Sequence, residues 1–238
     1  MMHDPTYMML SLVGMALVFL PQLWVKSTVA KYREVPIRSQ LTGADLAQEI
    51  LRHNGISHVA VQAIEGELTD HYDPGAKAVR LSADNYYGRS VTALAIAAHE
   101  CGHAIQHDKG YVPVVIRGAM WPLVGLGSQL GPLLLMIGIG MGAAQAAGPS
   151  LSALIAWVGV GAFAASVAFH LVTLPVEFDA SGRALAILSN NGYLSSDEMP
   201  GAKKVLTAAA MTYVATALYS LMELVYWVFR LMGSRNRD

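Results

Sequence analysis

Charged side chains are scarce in this sequence. Only 14% of its 238 residues are Asp, Glu, Lys or Arg, whereas 54% are hydrophobic. Soluble domains carry about 25% charged residues, so this composition argues against an ordinary soluble protein and points to the membrane. The formal net charge is −1 and no basic patch is interleaved with aromatic residues, which gives no argument for nucleic-acid binding.

Cysteine is almost absent. The single residue, Cys101, cannot form an intramolecular disulfide. We interpret it as a small packing residue, with a redox role as the alternative because it lies close to candidate metal ligands. The sequence shows no internal repeat and no low-complexity segment beyond a small-residue bias in its apolar runs.

Long apolar runs are abundant instead. Four of them approach or exceed the length of about 20 residues that a membrane span needs, at residues 7–25, 118–144, 151–174 and 205–229. The third contains His170 and the fourth contains Glu223. Because carboxylates inside a membrane are costly, Glu223 is a functional candidate; alternatively it reaches the boundary or pairs with Arg230.

Basic residues predict the orientation, because Lys and Arg are retained on the cytoplasmic side. They follow the first and the third run, as Lys26, Lys31, Arg33, Arg38, Arg183, Lys203 and Lys204. We therefore predict the N-terminus outside, residues 26–117 and 175–204 in the cytoplasm, a tight outside turn at AAQAAGPS, and the C-terminus outside. Only the last placement is opposed by basic residues, which are Arg230, Arg235 and Arg237.

Between the first two runs the sequence predicts a small α+β unit. Residues 42–54, TGADLAQEILRHN, are typical of an amphipathic helix with Thr42 as its N-cap and Asp45 three positions later. HVAVQAI indicates a strand, and LTDHYDPGAKAVRLS indicates two extended pieces around the turn DPGA. The piece from Ala78 to Ser82 could align an extended substrate by strand addition, or it could simply pack in the sheet.

The stretch AAHECGHAIQH carries the strongest chemical signal. On a helix His99 and His103 project from the same face, one turn apart, which lets two imidazoles reach one zinc ion. Glu100, between them, is then placed to act as general base on a water molecule that the zinc activates. The preceding apolar run VTALAIAA favours a buried helix at this position.

A catalytic zinc site needs a third protein ligand and one open position. The best candidate is Glu177 in LPVEFDASGRAL, because a hairpin of the second and third runs would return it to the side of His99. Asp179 is the competing ligand. A charge at the membrane boundary is the plain alternative for Glu177.

Several segments together resemble a known family. HECGHAIQ, HYDP…RLS and PVEFDASGRA are similar to the YugP-type bacterial membrane zinc metallopeptidases, over about residues 42–188. The resemblance implies a zinc-dependent, membrane-anchored peptidase with one Zn²⁺ per chain. More distantly, the layout is similar to membrane gluzincins of the HtpX and CAAX-protease type, whose second motif reads E-x-x-x-D. Here Ser181 stands where that motif has Asp, so Asp179 or Ser181 could orient a ligand histidine.

Other polar residues are weaker candidates. A developing oxyanion needs a donor, and the sequence offers Arg183, His170, Tyr193 and Tyr213. His107 repeats the four-residue spacing after His103, but we interpret it as a polar residue at the helix end. His71 is interpreted as a turn residue that could contact substrate.

The sequence thus predicts a mostly α membrane protein with about four transmembrane helices and a small α+β, zincin-like cytoplasmic unit carrying the HExxH helix. The predicted parts are an N-terminal transmembrane anchor at residues 1–26 and a metallopeptidase unit at 27–117. They are followed by a transmembrane hairpin at 118–174, a helix carrying the third ligand at 175–204, and a C-terminal transmembrane helix with its tail at 205–238.

The predicted function is that of a zinc metalloendopeptidase in the bacterial cytoplasmic membrane, multi-pass, with its active site on the cytoplasmic side. Expected partners are the lipid bilayer and a protein or peptide substrate that is membrane-associated or misfolded, without nucleic acid. The alternatives are a non-catalytic zinc-binding scaffold or adaptor, and a site-2-type protease in which the HExxH helix itself crosses the bilayer.

Overall fold

The structure, a computed structural model, describes residues 4–143 and 149–235 and is mostly helical. Its helices are α1 (Pro5–Arg33), α2 (Gly43–His53), α3 (Ala83–Tyr86), α4 (Val91–Asp108), α5 (Val112–Ala143), α6 (Pro149–Asn190) and α7 (Met199–Arg235). A three-stranded sheet is formed by β1 (Ala60–Ile64), β2 (His71–Asp73) and β3 (Ala78–Ser82). The helix and the strands that were predicted between residues 42 and 82 are confirmed.

Three helices are long and apolar enough to cross a membrane, over Pro5–Arg33, Leu151–Asn190 and Met199–Gly233. The predicted second span lies in α5, whose pieces Val112–Pro122 and Gly127–Gly142 are bent by 51° relative to each other. Pro122 ends the first piece, and proline cannot supply the backbone donor that a straight helix needs. The described residues therefore offer three spans, or four if the bent pair counts as one.

Residues 144–148, and with them most of the predicted outside turn AAQAAGPS, lie outside the described residues, as does Arg237. The third apolar run continues without interruption past Pro175 to Asn190, so Glu177 lies on the same helix as residues 151–174.

The chain divides into two compact units. One draws its described residues from 1–19, 116–173 and 214–238 and consists of apolar helices. Many of its large apolar side chains are exposed, among them Met9, Leu12, Leu154 and Phe229. Such a surface is typical of helices that face lipid. In this unit Arg230 binds the carboxylate of Asp4 and not Glu223, the partner that the sequence had suggested.

The other unit comprises residues 20–115 and 174–213 and contains the sheet, α2, α3 and α4. Thr42 and Asp45 form a reciprocal capping box at the start of α2, as predicted. Its core is built on fully buried side chains of α2, β3 and α4, namely Leu46, Ile50, Leu81, Leu94 and Ile105. Burying a side chain of this size stabilises the fold by about 1.5–3 kcal/mol, so the core fixes α4 against the sheet and α2.

The strand order is β1-β3-β2, with β1 parallel and β2 antiparallel to β3. Both edges of β3 are therefore hydrogen-bonded to neighbours. The hypothesis that Ala78 to Ser82 receives a substrate strand is wrong, because a central strand has no free edge. Within the described residues, β1 and β2 are the two edge strands of this sheet, and β2 lies within the DHYDP segment.

Candidate metal centre

Helix α4 places the two histidines. Ser90 is its N-cap and accepts a hydrogen bond from the backbone N–H of Ala93 at 3.2 Å. The following residues, Val91 to Ala98, are good packing residues and nearly all buried, so the helix is held firmly before it reaches His99. His99 and His103 then lie on one face, with their ring nitrogens Nε2 only 3.1 Å apart.

Helix α6 supplies the carboxylate. It approaches α4 closely at Gly102, where a Cβ atom would lie 2.8 Å from the backbone oxygen of Ala180. Only glycine allows this approach, and it brings Glu177 against the two histidines. The Glu177 side chain is 4% exposed, so it is held inside the unit.

The three ligand atoms form a compact triangle. Oε2 of Glu177 lies 3.4 Å from Nε2 of His99 and 3.5 Å from Nε2 of His103, and the two nitrogens are 3.1 Å apart. In a tetrahedral zinc site with bonds of about 2.0–2.2 Å, two ligand atoms lie roughly 3.3–3.6 Å from each other. Two sides of the triangle match this spacing, and the third, between the two nitrogens, is slightly shorter. A small shift of one imidazole would fit the donors to one face of a tetrahedron around zinc, and such a set leaves the fourth position open.

Charge also favours a cation here. Burial alone would lower the pKa of His103, but its hydrogen bond to Glu177 and the charges of Glu100 and Glu177 outweigh it, so this pKa lies above its usual range. The two imidazoles keep 13% and 15% of their side-chain surface exposed. Water and a small ligand can therefore reach the pair, unlike a fully closed structural site.

Gln106 fixes the ring of His103. Its side chain has no exposed surface. Its amide nitrogen donates to the backbone oxygen of Val176 at 2.8 Å and to Oδ2 of Asp179 at 2.7 Å. Its amide oxygen lies 3.0 Å from Nδ1 of His103. Because both amide protons go to acceptors, the oxygen must accept, and Nδ1 of His103 carries the proton. Nε2, which faces Glu177, is then the nitrogen that a metal would bind, after the proton that Nε2 shares with Glu177 has been released.

Ser181 and Asp179, the two residues that the sequence offered for orienting a histidine, contact the histidine pair in different ways. Ser181 Oγ lies 3.2 Å from Nδ1 of His99. Asp179 reaches His103 only through Gln106, and it is bound by Arg183, whose Nε donates to Oδ2 at 2.6 Å. With these partners Asp179 lies outside the triangle of His99, His103 and Glu177.

Sequence reasoning named HECGHAIQ but did not assign its glutamine. The available signal was the spacing: Gln106 stands three residues after His103 and so shares its helix face. What the sequence could not supply was the identity of the acceptors on α6, because these come from residues 70 and 73 positions further on.

Glu100 is 7% exposed and follows His99 directly on α4. It also stands three residues before His103, a spacing that makes two helical side chains neighbours. Its charge contributes to the raised pKa of His103, which agrees with that proximity.

Other predicted residues lie outside the triangle. Nδ1 of His107 is 3.4 Å from the hydroxyl of Tyr72, and the Tyr193 hydroxyl is 3.3 Å from Nδ1 of His53. His71 is exposed, and its Nδ1 lies 2.7 Å from the backbone oxygen of Thr69. The interpretation of His71 as a turn residue is wrong, because it is the first residue of β2 and pairs with Arg80 of β3.

The remaining candidates are His170, Tyr213 and Cys101. His170 belongs to the unit of apolar helices, where its ring packs on that of Phe169. Tyr213 is 39% exposed. Cys101 is fully buried, its thiol donates to the backbone oxygen of Ala47 at 3.6 Å, and burial raises its pKa far above the usual range, as expected for a packing residue.

Comparison with protein families gives the family of this chain. The family described as "Putative neutral zinc metallopeptidase" matches residues 7–232, which is nearly the whole chain. The chain therefore belongs to this family.

A relative in Bacillus subtilis is similar over nearly the whole chain. The chain is 42% identical, over 232 residues, to the protein named "Putative membrane protease YugP" of Bacillus subtilis (strain 168), and the match covers 98% of this chain and 99% of that protein. No solved structure matches. The resemblance that the sequence suggested is confirmed, and the family name agrees with a metal site at His99, His103 and Glu177.

Proposed function

We propose that the chain is a membrane-anchored, zinc-dependent metalloendopeptidase. The observation that carries this proposal is the triangle of His99, His103 and Glu177, with sides of 3.1, 3.4 and 3.5 Å, beside a buried Glu100. Three ligands, one open position and a carboxylate next to them are what metal-assisted amide hydrolysis requires.

Zinc bound at the triangle would polarise the scissile carbonyl and lower the pKa of a water molecule to about 7. Glu100 is the group of this chain that moves protons: it takes one from the attacking water and returns it to the nitrogen of the leaving amine. A carboxylate can do both because it alternates between its charged and its neutral form during one turnover.

The surrounding residues hold the ligands still. Gln106 keeps the proton of His103 on Nδ1, so that Nε2 stays available to the metal. Ser181 contacts Nδ1 of His99 from α6. Arg183 neutralises Asp179, which lets a carboxylate stand near Glu177 without raising the negative charge of the site. Partners of this kind typically change metal affinity by about 10- to 100-fold.

The substrate is proposed to be a protein or peptide, membrane-associated or misfolded, aligned along the free edge of β2. This strand is antiparallel to β3, and its Tyr72 contacts His107, one helical turn beyond His103 on α4. Main-chain hydrogen bonds to an edge strand recognise an extended peptide with little dependence on its side chains.

The proposed location is the bacterial cytoplasmic membrane, in multi-pass form, with the metal centre on the cytoplasmic side. The name of the relative and the three apolar helices support a membrane protein. The orientation is proposed from the Lys and Arg residues that follow the first and the third apolar run in the sequence.

Two other readings have less support. A structural zinc site would need a fourth protein ligand, but the candidate ligand group among the described residues has three members. A site-2-type protease would need α4 to cross the bilayer, yet α4 has 18 residues and is not among the described helices that qualify as spans. It belongs to the unit that contains the sheet.

Metal removal and restoration test the proposal. Purified protein stripped with a chelator should lose cleavage of casein, and cleavage should return in proportion to zinc until one ion is bound per chain. Cleavage by protein that is free of zinc would overturn the proposal. A magnesium addition serves as the control, since Mg²⁺ prefers oxygen ligands in octahedral geometry and should restore nothing.

A further inference from the structure

We propose that the polar end of α1 binds the phosphate headgroup of an anionic phospholipid. The binding site is a basic groove of about 460 Å³, away from the metal ligands. It is lined by Trp24, Ser27, Thr28, Lys31 and Tyr32 of α1 and by Lys204 of α7. All six residues belong to the unit that contains the sheet.

The basic groove keeps its positive charge. Lys31 and Lys204 are both exposed, and neither forms an ion pair with a carboxylate within the described parts of the chain. Arg33, two residues after Lys31, is different, because Glu67 and Asp84 bind it at 3.3 and 3.1 Å. The two lysines thus present ammonium groups to an anion from outside.

The apolar surface beside the basic groove indicates a lipid and not a soluble phosphate. Leu20 and Leu23, on the turn of α1 that precedes the groove, are 63% and 64% exposed. Trp24 follows them and is 46% exposed, and tryptophan is enriched where a helix passes from hydrocarbon to headgroups. A phosphate at the lysines would place acyl chains along these leucines. Basic pockets between membrane helices bind anionic headgroups in this manner.

A hydrogen bond joins the segment of α1 that lines the basic groove to the start of α4. Thr28 is buried, and the backbone oxygen of its neighbour Val29 accepts a hydrogen bond from Thr92 Oγ1 in the first turn of α4 at 3.0 Å. A bound lipid would therefore steady the segment on which α4 begins. The lipid proposal does not depend on peptidase activity, since none of the lining residues is a metal ligand.

Native mass spectrometry of the full chain tests this site. The protein is released from detergent micelles that contain equal amounts of dioleoyl phosphatidylglycerol and dioleoyl phosphatidylcholine. We expect one phosphatidylglycerol per chain, retained about tenfold over phosphatidylcholine, because each basic residue near a membrane surface favours an anionic lipid severalfold. Equal retention of the two lipids would overturn the proposal.

Two double variants, each lacking two lysine charges, distinguish lipid binding in the basic groove from unspecific electrostatic attraction of anionic lipid. Lys31→Gln with Lys204→Gln should reduce the preference about fivefold or more, whereas Lys26→Gln with Lys203→Gln should keep it. Lys26 and Lys203 are exposed on the same two helices but do not line the groove. An equal loss in both variants would mean diffuse charge attraction and would refute the site. Displacement of the lipid by glycerol phosphate would refute the lipid as the ligand; no displacement supports it.

Discussion

Nδ1 of His103 lies 3.0 Å from the amide oxygen of Gln106, a side chain with no exposed surface. Gln106 also bonds to Val176 and Asp179 on α6, so one glutamine joins the helix of the two histidines to the helix of Glu177. The triangle of His99, His103 and Glu177 is thus braced by a residue that is not one of its members.

Replacing Gln106 by Leu should weaken zinc binding. The variant removes the acceptor that holds the proton of His103 on Nδ1, and it removes the amide group that donates to the Val176 oxygen and to Asp179. We expect zinc affinity to fall about 10- to 100-fold, measured by competition with a chromophoric chelator. Gln48→Leu, at an exposed position of α2, is the control and should bind zinc like the parent. Equal affinities for all three proteins would show that Gln106 has no positioning role.

Replacing Glu177 by Ala should abolish stoichiometric zinc binding, because two imidazoles alone seldom hold the ion. Asp179→Asn should retain one zinc per chain with lower affinity, since Asp179 acts through Gln106. Metal analysis after gel filtration measures both. Glu34→Ala removes an exposed glutamate and is the control. If Asp179→Asn lost its zinc while Glu177→Ala kept it, the assignment of the third ligand would be reversed.

Replacing Gly102 by Ala should destabilise the protein by about 1–3 kcal/mol, because the added methyl group would collide with the backbone of Ala180. Gly182→Ala, in α6, is the matched control. Its Cβ would meet no atom within 4 Å, so the change should stabilise the helix by about 0.5–1 kcal/mol. Measured by thermal unfolding in detergent, the midpoint temperature should fall for Gly102→Ala and rise for Gly182→Ala. A stable Gly102→Ala variant with normal zinc content would contradict the close packing of α4 on α6.

The Cys101 thiol should resist alkylation in the folded protein. It is fully buried and its pKa is raised by burial, so little reactive thiolate forms. We expect iodoacetamide to react at least about a hundredfold more slowly than with the unfolded chain. As the chain has one cysteine, the mass change reports this site alone. Rapid labelling of the folded protein would revive the redox alternative.

Much of the metal centre could be predicted from local spacing. His99 and His103 are separated by one helical turn, so the sequence alone places both on one face, and the Thr42 cap and the turn DPGA are equally local signals. Glu177 was reached by assuming that an apolar hairpin returns the chain. Local sequence patterns thus predict those features whose geometry is set within a few residues of the chain.

The rest depends on long-range packing. No local signal shows that β3 is the central strand, because strand order is decided by which faces α2 and α4 cover. The same holds for the link from Gln106 to Asp179, which joins positions 73 residues apart. The bend of α5 is associated with Pro122, but proline also occurs inside α1 and α6, where the helix continues. The proline pattern alone therefore does not locate the bend.

The central claim is that Glu100 moves the proton at a zinc site formed by His99, His103 and Glu177. It is tested most directly by measuring zinc content and casein cleavage together in Glu100→Gln. The control is Glu65→Gln, which changes an exposed glutamate directly after β1. We expect one zinc per chain in both variants and a loss of about 10²- to 10⁴-fold in cleavage rate for Glu100→Gln only. Undiminished cleavage by Glu100→Gln with its zinc in place would contradict it.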